Sequence, residues 1–207
     1  MKQPAVGIRR CEMQGLTIRW GAISRYLWTF IVIINGLLFA FDSKATTVKQ
    51  FELNELVAKS TLIFIGRCVS SESHWNSKRT LILTSSNFIV SESLKGPTNG
   101  SVNVTTVGGT LDGITQTVAG MPEFLGDEEV LLFLQPYSTG NWQVLGLSQG
   151  KFRIVNNPLT GEKETVRSLS GLTLYDSRHQ KLSEDTRSSR MRLSELQERI
   201  RGLTKEQ

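Results

Sequence analysis

Five consecutive apolar residues, Val130-Leu131-Leu132-Phe133-Leu134, do most to limit what this chain can become. They lack the alternation of a strand with one wet face, so they read as a strand covered on both sides. The approach to them is punctuated by Gly108-Gly109, Gly113, Gly120-Met121-Pro122 and Gly126-Asp127. Gly108 and Gly109 can turn the chain with positive φ at no steric cost. Gly113, inside a predicted strand over 110–118, suggests a bulge or tight bend. Pro122 after Gly120 breaks the ladder, Phe124 is available to cover a barrel end, and Gly126 opens the turn into the apolar run.

The rest of the chain supplies partners for that strand. A short helix is expected over 48–59, with Phe51, Leu53, Leu56 and Val57 on one face. A strand follows over 61–70, then a polar turn over 71–77. Residues 79–94 read as a long strand in which Ile82, Thr84, Phe88, Val90 and Leu94 alternate with polar residues, and Ser85-Ser86 is the point where it would bend. Lys95 to Gly100 is a dense turn signal, and 101–107 a short alternating strand. After the apolar run, Pro136 to Gly140 turns the chain back into a strand carrying Trp142, Val144 and Leu145. Shorter strands are expected around Phe152 and Ile154 and over 164–169. The stretch 157–190 reads as a polar extension with a solvated linker over 178–190. Leu193, Leu196, Ile200 and Leu203 recur at helical spacing in a final amphipathic helix over 191–207, with Ser194 and Gln197 at capping-box spacing. That helix needs a surface, either its own barrel or a partner.

Charge narrows the partner classes. The chain has 24 Lys and Arg against 19 Asp and Glu, a formal net charge of +5. Six of the basic and two of the acidic residues fall in 1–45, leaving 18 and 17 beyond it, so the remainder is nearly neutral. The electrostatic case for a nucleic acid disappears. The leader itself has a basic segment ending at Arg25, an apolar run over 26–41, and small residues at Ser43 and Ala45. This is the layout of a signal segment cleaved after Ala45. The rival is an uncleaved membrane anchor at 26–41. Export to the periplasm or the medium is the expectation, with membrane contact only through that segment. Cys11 lies in the leader, so Cys68 is alone in the mature chain and reads as a small buried hydrophobe.

Short strands, an early helix and frequent glycine turns describe a mainly β fold: a small OB-like antiparallel barrel over 46–156, followed by the polar extension and the C-terminal helix. The wording of the chain goes further. Leu56-Val57-Ala58-Lys59-Ser60-Thr61-Leu62-Ile63-Phe64-Ile65-Gly66-Arg67-Cys68-Val69 and Phe88 to Gly96 resemble the opening of netrin-like OB-fold modules, the group that includes tissue inhibitors of metalloproteinases. The run from Gly108-Gly109 through Pro122-Glu123-Phe124 to Gly126-Asp127-Glu128-Glu129 and Val130–Leu134 resembles a family of uncharacterised exported bacterial proteins. The first resemblance implies a fold. It does not imply zinc-chelating inhibition, because no cysteine stands near Thr46. The second supplies no catalytic residues.

The chemistry in view is sparse. His74 and His179 lie in polar stretches without metal-ligand spacing. Asp127-Glu128-Glu129, with Glu123 nearby, is either a charged turn that keeps a strand end soluble or an oxygen cluster for a cation. Gly108-Gly109 with Gly113 is no phosphate loop, because the following helix and the Lys-Ser/Thr pair are missing. Trp142, Phe124, Tyr137 and Trp75 form the candidate binding surface, as an aromatic stacking patch or as ordinary packing. A hydrolase would need His74 or His179 within reach of a serine and an acid. The expectation is an exported, non-enzymatic module without metal or cofactor that recognises a protein or glycan of the cell envelope. The alternative is a regulator or inhibitor of a secreted protease acting through the 108–126 loops.

Overall fold

The computed structural model describes residues 46–169, 172–176, 181–183 and 189–205. The predicted leader, its apolar run and the anchor alternative lie outside these residues. Among the described residues no helix is long and apolar enough to cross a membrane.

Among the described residues the fold is mainly β, with one large sheet, two helices and two small sheets. The predicted apolar strand is β7 (Glu129–Ser138), and the large sheet branches at it. Along one edge β7 pairs antiparallel with β2 (Leu62–Trp75) through Arg67↔Glu129 to Leu62↔Leu134. Its other edge is shared: Val130, Leu131 and Leu132 pair with β9 (Lys151–Asn156), and residues from Leu134 onward pair with β8 (Asn141–Val144). From β9 the sheet continues through β10 (Lys163–Arg167) to β13 (Ser189–Arg192). From β2 it runs through β3 (Ile82–Lys95) and β4 (Ser101–Val107) to β8, which brings it back to β7. Five strands thus form a circuit of pairings. One parallel residue pair, Val104↔Trp142, closes it, so the β4–β8 seam is narrow.

This branching explains the apolar run. All five residues from Val130 to Leu134 are fully buried. Successive side chains of a strand point to opposite faces. Val130, Leu132 and Leu134 enter the core inside the circuit, with Phe64, Cys68, Phe88, Val102 and Val104. Leu131 and Phe133 enter a second core outside it, with Ile63, Ile65, Phe152 and Ile154. Two helices roof the outer core. Helix α1 (Leu53–Lys59) contributes Leu56 and Val57, and α2 (Leu193–Lys205) contributes Leu193, Leu196 and Ile200. The C-terminal helix therefore docks on its own sheet.

Several elements differ from the sequence reading. Residues 46–49 are not helical. Thr46–Lys49 is a strand, β1, paired parallel with β11 (Leu172–Asp176), as β-branched Thr46-Thr47-Val48 favours. Helix α1 starts only after Glu52, where Glu52 and Glu55 form a reciprocal capping box. Residues 71–75 of the predicted turn are strand, and the chain turns later, at 76–81. There the Asn76 side chain accepts from the Thr80 and Leu81 amides at 2.8 and 3.2 Å. The register irregularities between β2 and β3 fall opposite Phe88 and beyond it rather than at Ser85-Ser86. Residues 109–116 form a separate hairpin, β5 (Gly109–Leu111) and β6 (Ile114–Gln116). Of the two readings of Gly113, bulge or tight bend, the tight bend holds: Asp112 and Gly113 have φ of 52° and 76°, the left-handed pair a two-residue Asp-Gly turn requires. Within the polar extension, the described residues form β10, β11, β12 (Lys181–Ser183) and β13, with β1, β11 and β12 in a small sheet of their own. Gln197 does not cap α2. Its amide donates to Glu92 on β3 at 2.7 Å.

Candidate functional site

The region between β6 and β7, residues 117–128, crosses the structure as an irregular strap pinned at both ends. At its start, Gly120 has φ 75° and accepts a hydrogen bond from the Ser148 amide at 2.9 Å. A Cβ at Gly120 would collide with the Leu172 side chain, which would have to move, and the left-handed φ disfavours any other residue. At its end, the Asp127 amide donates to the Cys68 carbonyl and the Cys68 amide donates to the Glu128 carbonyl, at 2.9 and 3.0 Å. Asp127 takes a left-handed φ of 61° to make that turn.

Lys151 on β9 holds the middle. Its ammonium group pairs with Glu128 at 2.8 Å, donates to the Glu123 carbonyl, and lies 4.9 Å from the centroid of the Phe124 ring. The Glu128 side chain retains only 7 % of its exposure. The Phe124 ring in turn meets Phe88 edge-on at 4.9 Å. One lysine thus neutralises a buried carboxylate and seats the aromatic residue that caps the inner core.

The strap separates two concavities. One, of about 610 Å³, has strap residues 117–123 as one wall and Ser148, Lys151, Arg153 and Val166 as the other. The second, of about 260 Å³, lies under the β5–β6 hairpin where β2, β3 and β4 extend beyond the end of β7. Its sheet wall is hydroxylic: Ser73, Thr84, Ser86 and Thr106 line it. Ser71 and Ser86 bond across the strands at 2.8 Å, Ser73 and Thr84 at 3.0 Å, and Thr84 donates to the Gly108 carbonyl at 2.7 Å. Gly109 lies over this cluster with φ 135°, and a Cβ there would stand 2.4 Å from both the Ser73 and Thr84 hydroxyl oxygens. Gln116 closes one side, its side-chain carbonyl accepting from the Ile82 amide at 2.8 Å.

The predicted binding residues do not assemble into one stacking patch. Phe124 and Trp142 both pack on the inner core, half-buried. Tyr137 is exposed on the β7–β8 hairpin that also carries Trp142. Trp75 is the last residue of β2, paired with Ile82. Gly108, Gly109, Gly120 and Pro122 border the concavities, and Gly126 borders a shallow depression by Arg67 and Arg153. In the acidic stretch, Glu128 is matched by Lys151 and Glu129 by Lys163 at 2.8 Å. Among the described residues no group of three or more His, Cys, Asp or Glu could hold a metal ion. His74 is exposed and His179 lies outside the described residues. Cys68 is a free thiol buried in the inner core.

Ser73, Ser86, Thr106, Gln116 and Lys151 were not singled out from the sequence. A signal existed for part of the set: Thr84 and Ser86 share the strand parity of Ile82 and Phe88, which places them on the inward face. No family model matches the chain, and no curated protein is similar to it.

Proposed function

We propose that this chain is an exported, non-enzymatic binding module that recognises a protein or a glycan through the region built by residues 108–128. The observation that carries the reading is the pair of concavities sharing one strap, itself fixed to the sheet by Gly120, Lys151 and the Cys68 backbone. Loops held on a rigid scaffold are where recognition is usually built. Lys151 is committed to three contacts, and Cys68 is buried. The circuit's pairing order supports the resemblance to OB-fold modules, which bind other molecules on such faces and loops. Export follows from the leader's layout, with cleavage after Ala45 expected to leave Thr46 as the first residue.

The test is binding by the purified, immobilised full chain to a glycan array and to cell-envelope extract. A ligand retained by the native chain and lost with Phe124→Ala supports the reading. A folded protein that binds nothing in either format, or that turns over substrates in a hydrolase screen, overturns it. A second reading, control of a secreted protease, is favoured by Ile114, which is 52 % exposed beside the Asp112-Gly113 turn of the β5–β6 hairpin. Slowing of a metallo- or serine protease, relieved by Ile114→Asp, would establish it.

A further inference from the structure

The smaller concavity has a directional hydrogen-bond character that identifies a ligand class, and the inference rests on the binding-module reading above. Each hydroxyl carries one proton and two acceptor lone pairs. Thr84 places its proton on the Gly108 carbonyl, which cannot donate. In the Ser73–Thr84 contact the proton must then come from Ser73. Thr106 directs its proton to the Thr84 carbonyl, in a longer contact of 3.4 Å. Ser73 and Thr106 therefore face the concavity as acceptors. Gln116 is the reverse: its carbonyl oxygen is committed to the Ile82 amide, so its NH₂ group is the end left to donate. Among the described residues, Glu123 is the single ionisable residue of the lining, and no Lys, Arg or His lines it.

We propose that this concavity takes one ring of a neutral polyhydroxylated ligand, a sugar residue of a glycan. Its hydroxyls donate to Ser73 and Thr106, and a ring or hydroxyl oxygen accepts from Gln116. An anion would find no cation here. A purely apolar ligand would leave the free lone pairs of Ser73 and Thr106 and the Gln116 NH₂ group without a partner. The volume, about 260 Å³, lies just below the range of roughly 300–1,000 Å³ typical of drug-sized sites. That suits one ring rather than an extended chain. Phe124, on the border, offers the apolar surface that the ring's C–H face needs. Gly109 keeps the acceptors reachable, because any side chain there would meet Ser73 and Thr84.

The experiment is titration of the isotopically labelled full chain with methyl glycosides of glucose, galactose, mannose and N-acetylglucosamine, followed by NMR. One of them should shift the Gln116 side-chain amide and the Gly108 and Gly109 backbone amides. Thr106→Val, close in shape, should weaken that binding about tenfold, as should Ser73→Ala, each variant keeping the native circular dichroism. The tenfold figure corresponds to about 1.4 kcal/mol, a typical hydrogen bond. If a sugar binds but leaves these signals still and both variants bind normally, the site is refuted while glycan recognition stands. If methylammonium shifts these signals and no sugar does, the class is wrong. If no sugar binds but a specific protein does, the inference falls and the module reading survives.

Discussion

Replacing Lys151 by methionine tests the strap directly. The substitution keeps an unbranched chain and removes the charge. It leaves the Glu128 carboxylate, at 7 % exposure, without its counter-ion. Stranding one member of a buried pair costs roughly 3–5 kcal/mol. Loss of the hydrogen bond to the Glu123 carbonyl adds about 1 kcal/mol, and loss of the contact with Phe124 about 0.5–1 kcal/mol. Lys151 keeps 16 % exposure, so water enters part of the vacated space, and a net loss of about 3 kcal/mol is expected. Urea unfolding followed by tryptophan fluorescence should show the midpoint fall with an unchanged slope. Glu128→Gln in the Lys151→Met background should recover part of the loss, giving a coupling energy of at least about 1.5 kcal/mol. The amides of Leu125, Asp127 and Glu128 should exchange faster in the single variant, since the Leu125 amide donates to the Glu128 carboxylate. A loss below about 1 kcal/mol, or strictly additive single substitutions, would refute the claim that Lys151 fixes the strap.

Other consequences are equally open to measurement. Gln149 is fully buried, accepting from the Phe51 amide and donating to the Lys49 carbonyl, so Gln149→Leu should destabilise by about 2–5 kcal/mol in the same urea assay. Leu131→Ala and Leu132→Ala should each cost about 2–5 kcal/mol, although they point to opposite faces of β7; a near-neutral result for either would mean that face is wet. Gly109→Ala, with φ 135° and a Cβ 2.4 Å from two hydroxyl oxygens, should lower the thermal midpoint and broaden the Ser73 and Thr84 NMR signals. An unchanged midpoint would contradict the close approach.

The fold was legible where side chains declare their surroundings. The unalternating run at Val130–Leu134 announced two buried faces, and the structure supplies a core for each. The spacing of Leu193, Leu196 and Ile200 announced a helix with one apolar face, and that face is buried. The reading failed where polarity was taken for solvent. Ser71 and Ser73 look like turn residues and Ser86 like a bend, yet they form strand because each hydroxyl finds a partner across the sheet. The same discounting hid the hydroxyl-lined concavity. β1 was lost because its partner, β11, lies more than a hundred residues away, and no local pattern encodes a parallel pairing at that distance. Asp112-Gly113 was a readable hairpin signal, obscured by treating Gly113 alone. The importance of Lys151 depends on the strap's path over β9, which periodicity does not reveal.

Both cores and both branches of the sheet are built on β7. Amide hydrogen exchange measured by NMR on the full chain tests this most directly. Within β7, the amides of Val130 to Leu134 should be among the slowest in the molecule and exchange only with global unfolding, because β2 pairs along one edge and β9 and β8 along the other. Exchange of these amides as fast as that of the β5–β6 hairpin would contradict it.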